Sequence, residues 1–538
     1  MTLLPVAGRE LSVAARRPST YRLRAYAALV ALILFGVTYR IARPPAAGQH
    51  VLQALTVAVL GFCMLAGLFL TADSIASERQ RGTLGLLLLT DLKGYDIVLG
   101  KLAAHSIHAF FGLVAVFPVL ALPLLMGGVT GREFSRLLLV FGITLLFSLS
   151  LGLAVSAETN DPRRALGRAL LFMALLAGVL PALWWIQSLT LKAGWLNCLL
   201  WPSPGFACVA SFDSAYRLRS GPAGFWHSVQ TLLLVTAACL LWAGFLVPRV
   251  RVEEVPLAST RRGRWFPGLR GPRNKPPGWD RAEAANPFCR VTIKDWTPSS
   301  SARLLLVAVV PVWVFAWLLV PFLPKRSAPP AFIVCLFLTF GLHVIVKVLA
   351  AVESASRLNH DRNSGALESV LVTPLPVEAI LEAQRRALRE HFMGPLAVLG
   401  GLNLALWSAL FLFWRPLEMD AAAFHGFSAM FGGGFVVLLV DLWALGWVGM
   451  WRGLNVRQVH KAVIVTLAQV LGPCWLLLFF FWFYALTGGA GSEWSVTFFI
   501  IIWLITGCLV DLVLVARVRP QIIRNFREVA AARYDKPT

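Results

Sequence analysis

Charge is scarce along this chain. Only about 14% of its 538 residues are Asp, Glu, Lys or Arg, and the acidic ones are the rarer, 27 against 49. Soluble domains carry nearer a quarter, so the length does not signify several of them. Constellations for catalysis are missing too. There are no paired carboxylates, no Ser/His/Asp arrangement and no metal-spaced Cys/His set, and the nine histidines are scattered. The nearest approach to a phosphate-binding loop runs from Gly94 to Leu102. It has one residue too many between its glycines and Leu102 where a Ser or Thr must reach Mg²⁺. Lys101 then reads as an interfacial lysine where an apolar span begins. Cysteine is sparse at eight, and Cys63, Cys239, Cys335, Cys474 and Cys508 fall in apolar runs, where buried packing is the default. Cys289 lies between runs, and only Cys198 and Cys208 share a segment on the outer side, where a disulfide between them is open.

What is present is apolar sequence. Hydrophobic residues make up 58% of the chain, and runs of about 20, enough to cross a ~30 Å hydrocarbon core, recur throughout. The fold class expected is all-α: a polytopic membrane protein of about 12 transmembrane helices in two parallel six-helix repeats. The first six spans fall near 25–41, 51–74, 102–127, 135–157, 166–190 and 227–247. The second six fall near 303–323, 331–353, 391–414, 424–451, 462–487 and 494–516. The corresponding units are 1–247, a linker over 248–302, 303–516, and a basic tail over 517–538. No cleavable signal peptide is expected, because the first run ends at Arg40-Ile41-Ala42-Arg43 rather than at small residues.

The net charge of +22 would suit nucleic acid, but its distribution does not. Basic residues concentrate roughly four to one in the loops on one side, which the positive-inside rule makes cytoplasmic. A multi-pass protein of the cell membrane with both termini inside follows, and nucleic acid is not an expected partner. The linker, rich in Pro, Gly and Arg, reads either as a flexible connection or as a polybasic clamp on anionic headgroups. Each half opens on a mixed basic and apolar stretch, after Leu4-Pro5-Val6 and after Asn286-Pro287-Phe288, that suits a helix lying in the membrane interface.

Two stretches 283 positions apart (79 and 362) spell nearly one signature. Ala76–Leu92 reads ASERQRGTLGLLLLTDL, and Asn359–Leu375 reads NHDRNSGALESVLVTPL. Arg79/Arg362, Gly82/Gly365, Leu84/Leu367, Leu88/Leu371, Thr90/Thr373 and Leu92/Leu375 are identical, and Glu78/Asp361 are equivalent. Each copy follows one apolar run and precedes another, as in a duplicated membrane unit. Chemically, the Arg beside an acid can anchor a span's end, and the Gly permits a turn that a Cβ would hinder. The short run after it, Leu84–Leu89 or Leu367–Val372, is too short to span and should pack against protein as a short helix. Taken singly, each copy could equally be a plain tight turn.

At these residues the chain resembles the permeases of type 2 ATP-binding-cassette (ABC) transporters, whose loop after the second span typically reads E-R-x-x-G-T-L-E-x-L-L-x-T-P. The match covers Glu78, Arg79, Gly82, Thr83, Leu84 and Thr90, then Asp361, Arg362, Gly365, Leu367, Glu368, Thr373 and Pro374. Gly85, Asp91, Asp361 and Ala366 depart from it. The resemblance implies an exporter permease without catalytic activity of its own, with each loop a coupling helix against a separate ATPase. ATP and Mg²⁺ would be held by two such subunits, and no cofactor or metal by this chain. It also implies short external helices between spans five and six, here within Gly194–Phe212.

Other residues compete for a role in the membrane. Asp441 falls mid-run, where a carboxylate is costly unless partnered, so it is a candidate for the transport pathway or for a structural hydrogen bond. His343 and Lys347 share a helical face, with Lys347 expected to snorkel. Asp511 is expected to pair with Arg517 or Arg519. The runner-up function is a secondary transporter of the major facilitator type, which also has two six-span halves; its Gly-x-x-x-Asp-Arg-x-Gly-Arg loop is not matched here.

Overall fold

In the bilayer each backbone N–H and C=O must find its partner inside its own segment, so apolar runs of this length become helices. The computed structural model describes residues 18–41, 47–80, 82–89, 93–159, 162–181, 184, 194–218, 221–249, 310, 328–363, 365–413, 421–477 and 493–532. Among them no strand occurs. Eleven of the twelve expected spans coincide with apolar helices, eight of them long enough to cross a membrane and three shorter. The expected span at 303–323 but for residue 310, the linker over 248–302 but for its first two residues, the second interfacial stretch and the first as far as residue 17 lie outside the described residues; the end of the first, residues 18–24, opens the helix that runs to Ile41.

In the first half, α1 (Pro18–Ile41) and α2 (Ala47–Thr71) are followed by two short helices, α3 (Ser74–Gln80) and α4 (Thr83–Leu88). The long helices α5 (Gly94–Met126) and α6 (Gly131–Glu158) come next. Then α7 (Pro162–Ala174) continues into a π turn over Leu175–Val179. Between spans five and six lie a 3₁₀ turn at Gly194–Leu199, α8 (Pro204–Ser211) and α9 (Asp213–Tyr216), before α10 (Gly221–Leu246) returns. The second half repeats the order with α11 (Ala328–Asn363), α12 (Ala366–Leu371), α13 (Val377–Phe413), α14 (Ala421–Asn455), α15 (Val459–Val470) and α16 (Glu493–Ala531).

The fourth span organises each half. Helix α6 packs most extensively on α2 and α10, and α14 on α11 and α16. In lipid such packing depends on small residues and interhelical hydroxyls, and both halves use the same joint. Thr71 Oγ1 donates to the Leu149 carbonyl at 2.9 Å, and Ser354 Oγ donates to the Leu445 carbonyl at 3.0 Å. A Cβ on Gly152 would fall 2.1 Å from Thr71 Oγ1, and one on Gly449 2.0 Å from Ser354 Oγ. Only glycine lets these helices approach so closely. Thr71 and Ser354 stand at the same 283-residue offset as the loops, a correspondence just beyond the matched signature.

The halves meet through their second and fifth spans. Helix α7 of the first half packs on α11 of the second. Reciprocally, His460 Nδ1 at the start of α15 lies 3.6 Å from Asp73 Oδ2 at the end of the first half's second span. The last helix does not stop at 516. It runs to Ala531, and Val518, Ile522, Phe526 and Ala530, at four-residue spacing, bury one face of the expected tail in the core.

Candidate coupling modules and a buried ionic joint

Each copy of the signature folds into the same object. Gly82 (φ 73°, ψ −1°) and Gly365 (φ 77°, ψ −3°) sit in the left-handed region, and each starts a six-residue helix, α4 or α12. That backbone is the reason for glycine here, since a Cβ at either position would touch nothing within 4 Å. One leucine of each helix points inward: Leu84 is 1% exposed and Leu367 2%. Leu84 packs with Ile75, Ile97, Val98, Leu153, Ala157, Ala243 and Val247, where spans two, three, four and six converge. Thr83 Oγ1 closes on the Glu78 carbonyl at 3.2 Å, and Thr373 Oγ1 on the Val370 carbonyl at 2.6 Å. Thr90 lies outside the described residues.

The arginines act as clamps on the fourth span. Arg79 donates to the carbonyls of Ala157 at 2.8 Å and Thr159 at 3.5 Å, at the end of α6. Arg362 donates to Leu454 at the end of α14 and to the Ala532 carbonyl at 2.6 Å, just past α16. A guanidinium there satisfies carbonyls that a helix C-terminus leaves unpaired and offsets the negative end of its dipole. Arg527 adds a bond to the Leu375 carbonyl at 3.1 Å, so the second module is tied to α16 from two sides.

Two expectations about these loops change in the structure. The short apolar runs do not pack throughout: their last residues, Leu89 and Val372, are 84% and 88% exposed. They occupy equivalent positions, each capping its short helix. Lys101 is not an interfacial lysine but is buried, with its ammonium 2.7 Å from Glu78 Oε1. The signature's acid is thus held by a cation on the following span, whose counterpart at the same offset is Gln384. Glu368 stays exposed in the first turn of α12, where a carboxylate suits the helix's positive end.

Inside the second half lies an ionic joint. Lys347 of α11 does not snorkel; it forms an ion pair with Asp441 of α14, both nearly inaccessible. Asp511 of α16 does not pair with Arg517 or Arg519. It is completely buried, within electrostatic reach of Asp441 and Lys347. One turn from Lys347, His343 Nε2 lies 2.8 Å from Asn403 Nδ2 of α13. Four helices of one half therefore converge on Asp441, Lys347 and His343, and no residue of the first half is among these partners. A charge in the membrane interior needs such partners; the spacing of Lys347 and His343 revealed half the arrangement, but Asp511 and Asn403 carry no local signal.

The segment between spans five and six is helical, with Pro204, Ala207, Cys208, Ala210 and Ser211 buried. Asp213 fastens it to the start of α6. Its carboxylate pairs with Arg136 and accepts from Thr130 Oγ1 and Arg217 at 3.0 Å each. Partial burial pushes the Asp213 carboxyl up, but the hydrogen bonds from Arg136, Thr130 and Arg217 outweigh it and hold the group below its ordinary value. Arg136 also stacks over Tyr216 at 4.0 Å. Cys198 and Cys208 are not bonded to each other: both thiols are free, one exposed and one buried.

Long apolar helices packed around the fourth span of each half, together with two matched short-helix modules, define a polytopic membrane protein. Residues 18–248 match the family described as ABC-2 family transporter protein. The matched stretch is the first helical half of the chain, the part that carries α1 to α10. No curated protein matches it.

Proposed function

We propose that the chain is an exporter permease whose two fused halves form one complete pathway, coupled through α4 and α12 to a separate ATPase dimer. One copy of this chain would then assemble with two ATPase subunits, which bind ATP and Mg²⁺. The modules face the cytoplasm, in keeping with the bias of basic residues to that side, and the protein resides in the cell membrane. The observation that carries this reading is the matched pair of exposed tips, Leu89 and Val372. One exposed aliphatic is ordinary; the same kind of side chain left open at equivalent positions of two well-anchored helices suits a contact with a partner's pocket. The anchoring matters equally: a helix clamped by Arg79 or Arg362 to a fourth span passes a push from the ATPase to the core of its half.

Leu89→Asp and Val372→Asp test the proposal without touching the buried face of either module. Each should lower transport-stimulated ATP hydrolysis by about tenfold, the loss expected when one buried anchor of an interface is removed, while membrane insertion is unchanged. The double variant should no longer co-purify with its ATPase. A double variant that retained both the ATPase and normal stimulation would refute the coupling role. A complex whose mass required two copies of this chain would refute the fused pathway.

A further inference from the structure

The wall between α13 and α14 holds a cavity of about 530 Å³ whose two ends differ in chemistry. One end is formed by Arg385, Arg386 and Arg389, and the other by Phe392, Leu439 and Trp443. The volume is in the range that holds a drug-sized ligand. The charges do not cancel. Glu382 also lines the cavity, and Arg386 is shared with Glu390 at 3.3 Å. Among the described residues no ion pair is formed by Arg385 or Arg389; Arg385 instead stacks on Trp447 at 4.6 Å. That contact fixes the guanidinium plane while leaving its N–H groups to a ligand.

Position then selects the kind of anion. Arg385 to Arg389 lie eight to twelve residues into α13, about 12–18 Å from its loop-side end. The helix is apolar beyond them, and both α13 and α14 are of membrane-crossing length and composition. The apolar end is open sideways, since Met393, Leu439 and Trp443 are exposed on the bundle's surface. A soluble anion would satisfy the arginines and leave that wall unused. An amphiphile with an anionic head and aliphatic tails satisfies both ends. The first half has nothing comparable: at the same offset it carries Leu102, Ala103 and Ser106 in place of the three arginines.

We infer that this cavity is a binding site for one anionic glycerophospholipid of the leaflet facing the repeat loops. The phosphate lies against Arg385 and Arg389, and the upper acyl chains lie along Phe392, Leu439 and Trp443. Arginine suits the phosphate because its planar fork donates two parallel hydrogen bonds. The site stands apart from the coupling modules and does not depend on the direction of transport.

The full chain, delipidated in neutral detergent, is titrated with phosphatidylglycerol, phosphatidylcholine and glycerol 3-phosphate, with bound lipid counted by native mass spectrometry. One phosphatidylglycerol should bind at least about tenfold more tightly than phosphatidylcholine. Arg385→Gln and Arg389→Gln should each weaken it about fivefold, the value of one basic residue at a charged headgroup. Leu439→Trp, which fills the apolar end and leaves the charges, should weaken it comparably. Equal binding of the two lipids would overturn the inference, as would full affinity in the double Arg variant. Glycerol 3-phosphate binding as tightly as phosphatidylglycerol would make this a soluble-anion site and overturn the lipid assignment. Should the Arg variants lose their cooperative thermal transition, Leu439→Trp decides alone: unchanged binding there overturns the site.

Discussion

The two halves share one architecture and stabilise it by opposite means. Two register marks, Gly152/Gly449 and Ala157/Leu454, each 297 apart, align α6 with α14. In that register Thr144 stands where Asp441 does. At the 283-residue offset Met64 stands for Lys347, Leu60 for His343 and Leu120 for Asn403. The first half is thus closed by uncharged side chains, three of these four apolar, at the level where the second is closed by ions. Conversely, the first half carries an ionic lock between spans five and six, Asp213 on Arg136, whereas residues 478–492 of the second contain no charged side chain. What both keep is the module geometry: the left-handed Gly, the inward Leu, the Arg on the fourth span and the exposed tip. The lesson is that the two halves fill the same interior space with different chemistry, whereas the short-helix module keeps one shape in both.

The sharpest way to break the comparison is to remove one charge from the joint. Lys347→Met puts the first half's residue into the second and leaves Asp441 and Asp511 buried without their cation. A loss of about 3–5 kcal/mol in unfolding stability in detergent is expected. Converting the whole joint, Lys347→Met with Asp441→Thr and Asp511→Leu, should restore stability to near the parent or above, because well-packed apolar side chains commonly equal a buried ion pair. A triple variant as unstable as the single one would show that the halves are not interchangeable at this level.

A smaller effect separates the two clamps. Arg79→Met and Arg362→Met each remove charged hydrogen bonds to helix-terminal carbonyls, costing about 1–3 kcal/mol. Arg362→Met should be the more damaging, since Arg362 joins α14 to the end of α16, while the bonds of Arg79 given above reach only the end of α6 and the residue after it. Hydrogen exchange in residues 517–532 should rise in Arg362→Met, with no matching change near residues 240–249 in Arg79→Met. Equal changes in both would remove the asymmetry.

The smallest effect is one of pH, confined to the first half. Asp213 is held below its ordinary value in the fold. Its contribution is therefore complete above the unfolded value of about 3.9 and is lost as the pH falls through the lower folded value. Residues 204–216 should gain hydrogen exchange, corrected for its intrinsic rate, only under strongly acid conditions. Asp213→Asn should loosen them at neutral pH and abolish the acid transition. A transition that survived the substitution would assign it to another group.

By itself the sequence determined the membrane class, the positions of eleven of the spans now seen as helices, and the pair of signatures. These are local properties: a run long enough to cross hydrocarbon, the glycine a left-handed turn demands, a run of residues read twice. It placed Leu84 and Leu367 inside for the same reason, a short apolar helix needing a neighbour. The tertiary structure alone decided which polar residues meet. Lys347 reads as a snorkelling lysine until α14 brings Asp441 to it, Asp511 as a partner for nearby arginines until α16 turns it inward, and Lys101 as an interfacial lysine until Glu78 reaches it. Likewise Leu89 and Val372 look like core residues in the run and become surface only because each short helix ends in the open. Burial and charge pairing are properties of the packed helices around a residue, and no period or spacing along one helix encodes its neighbours.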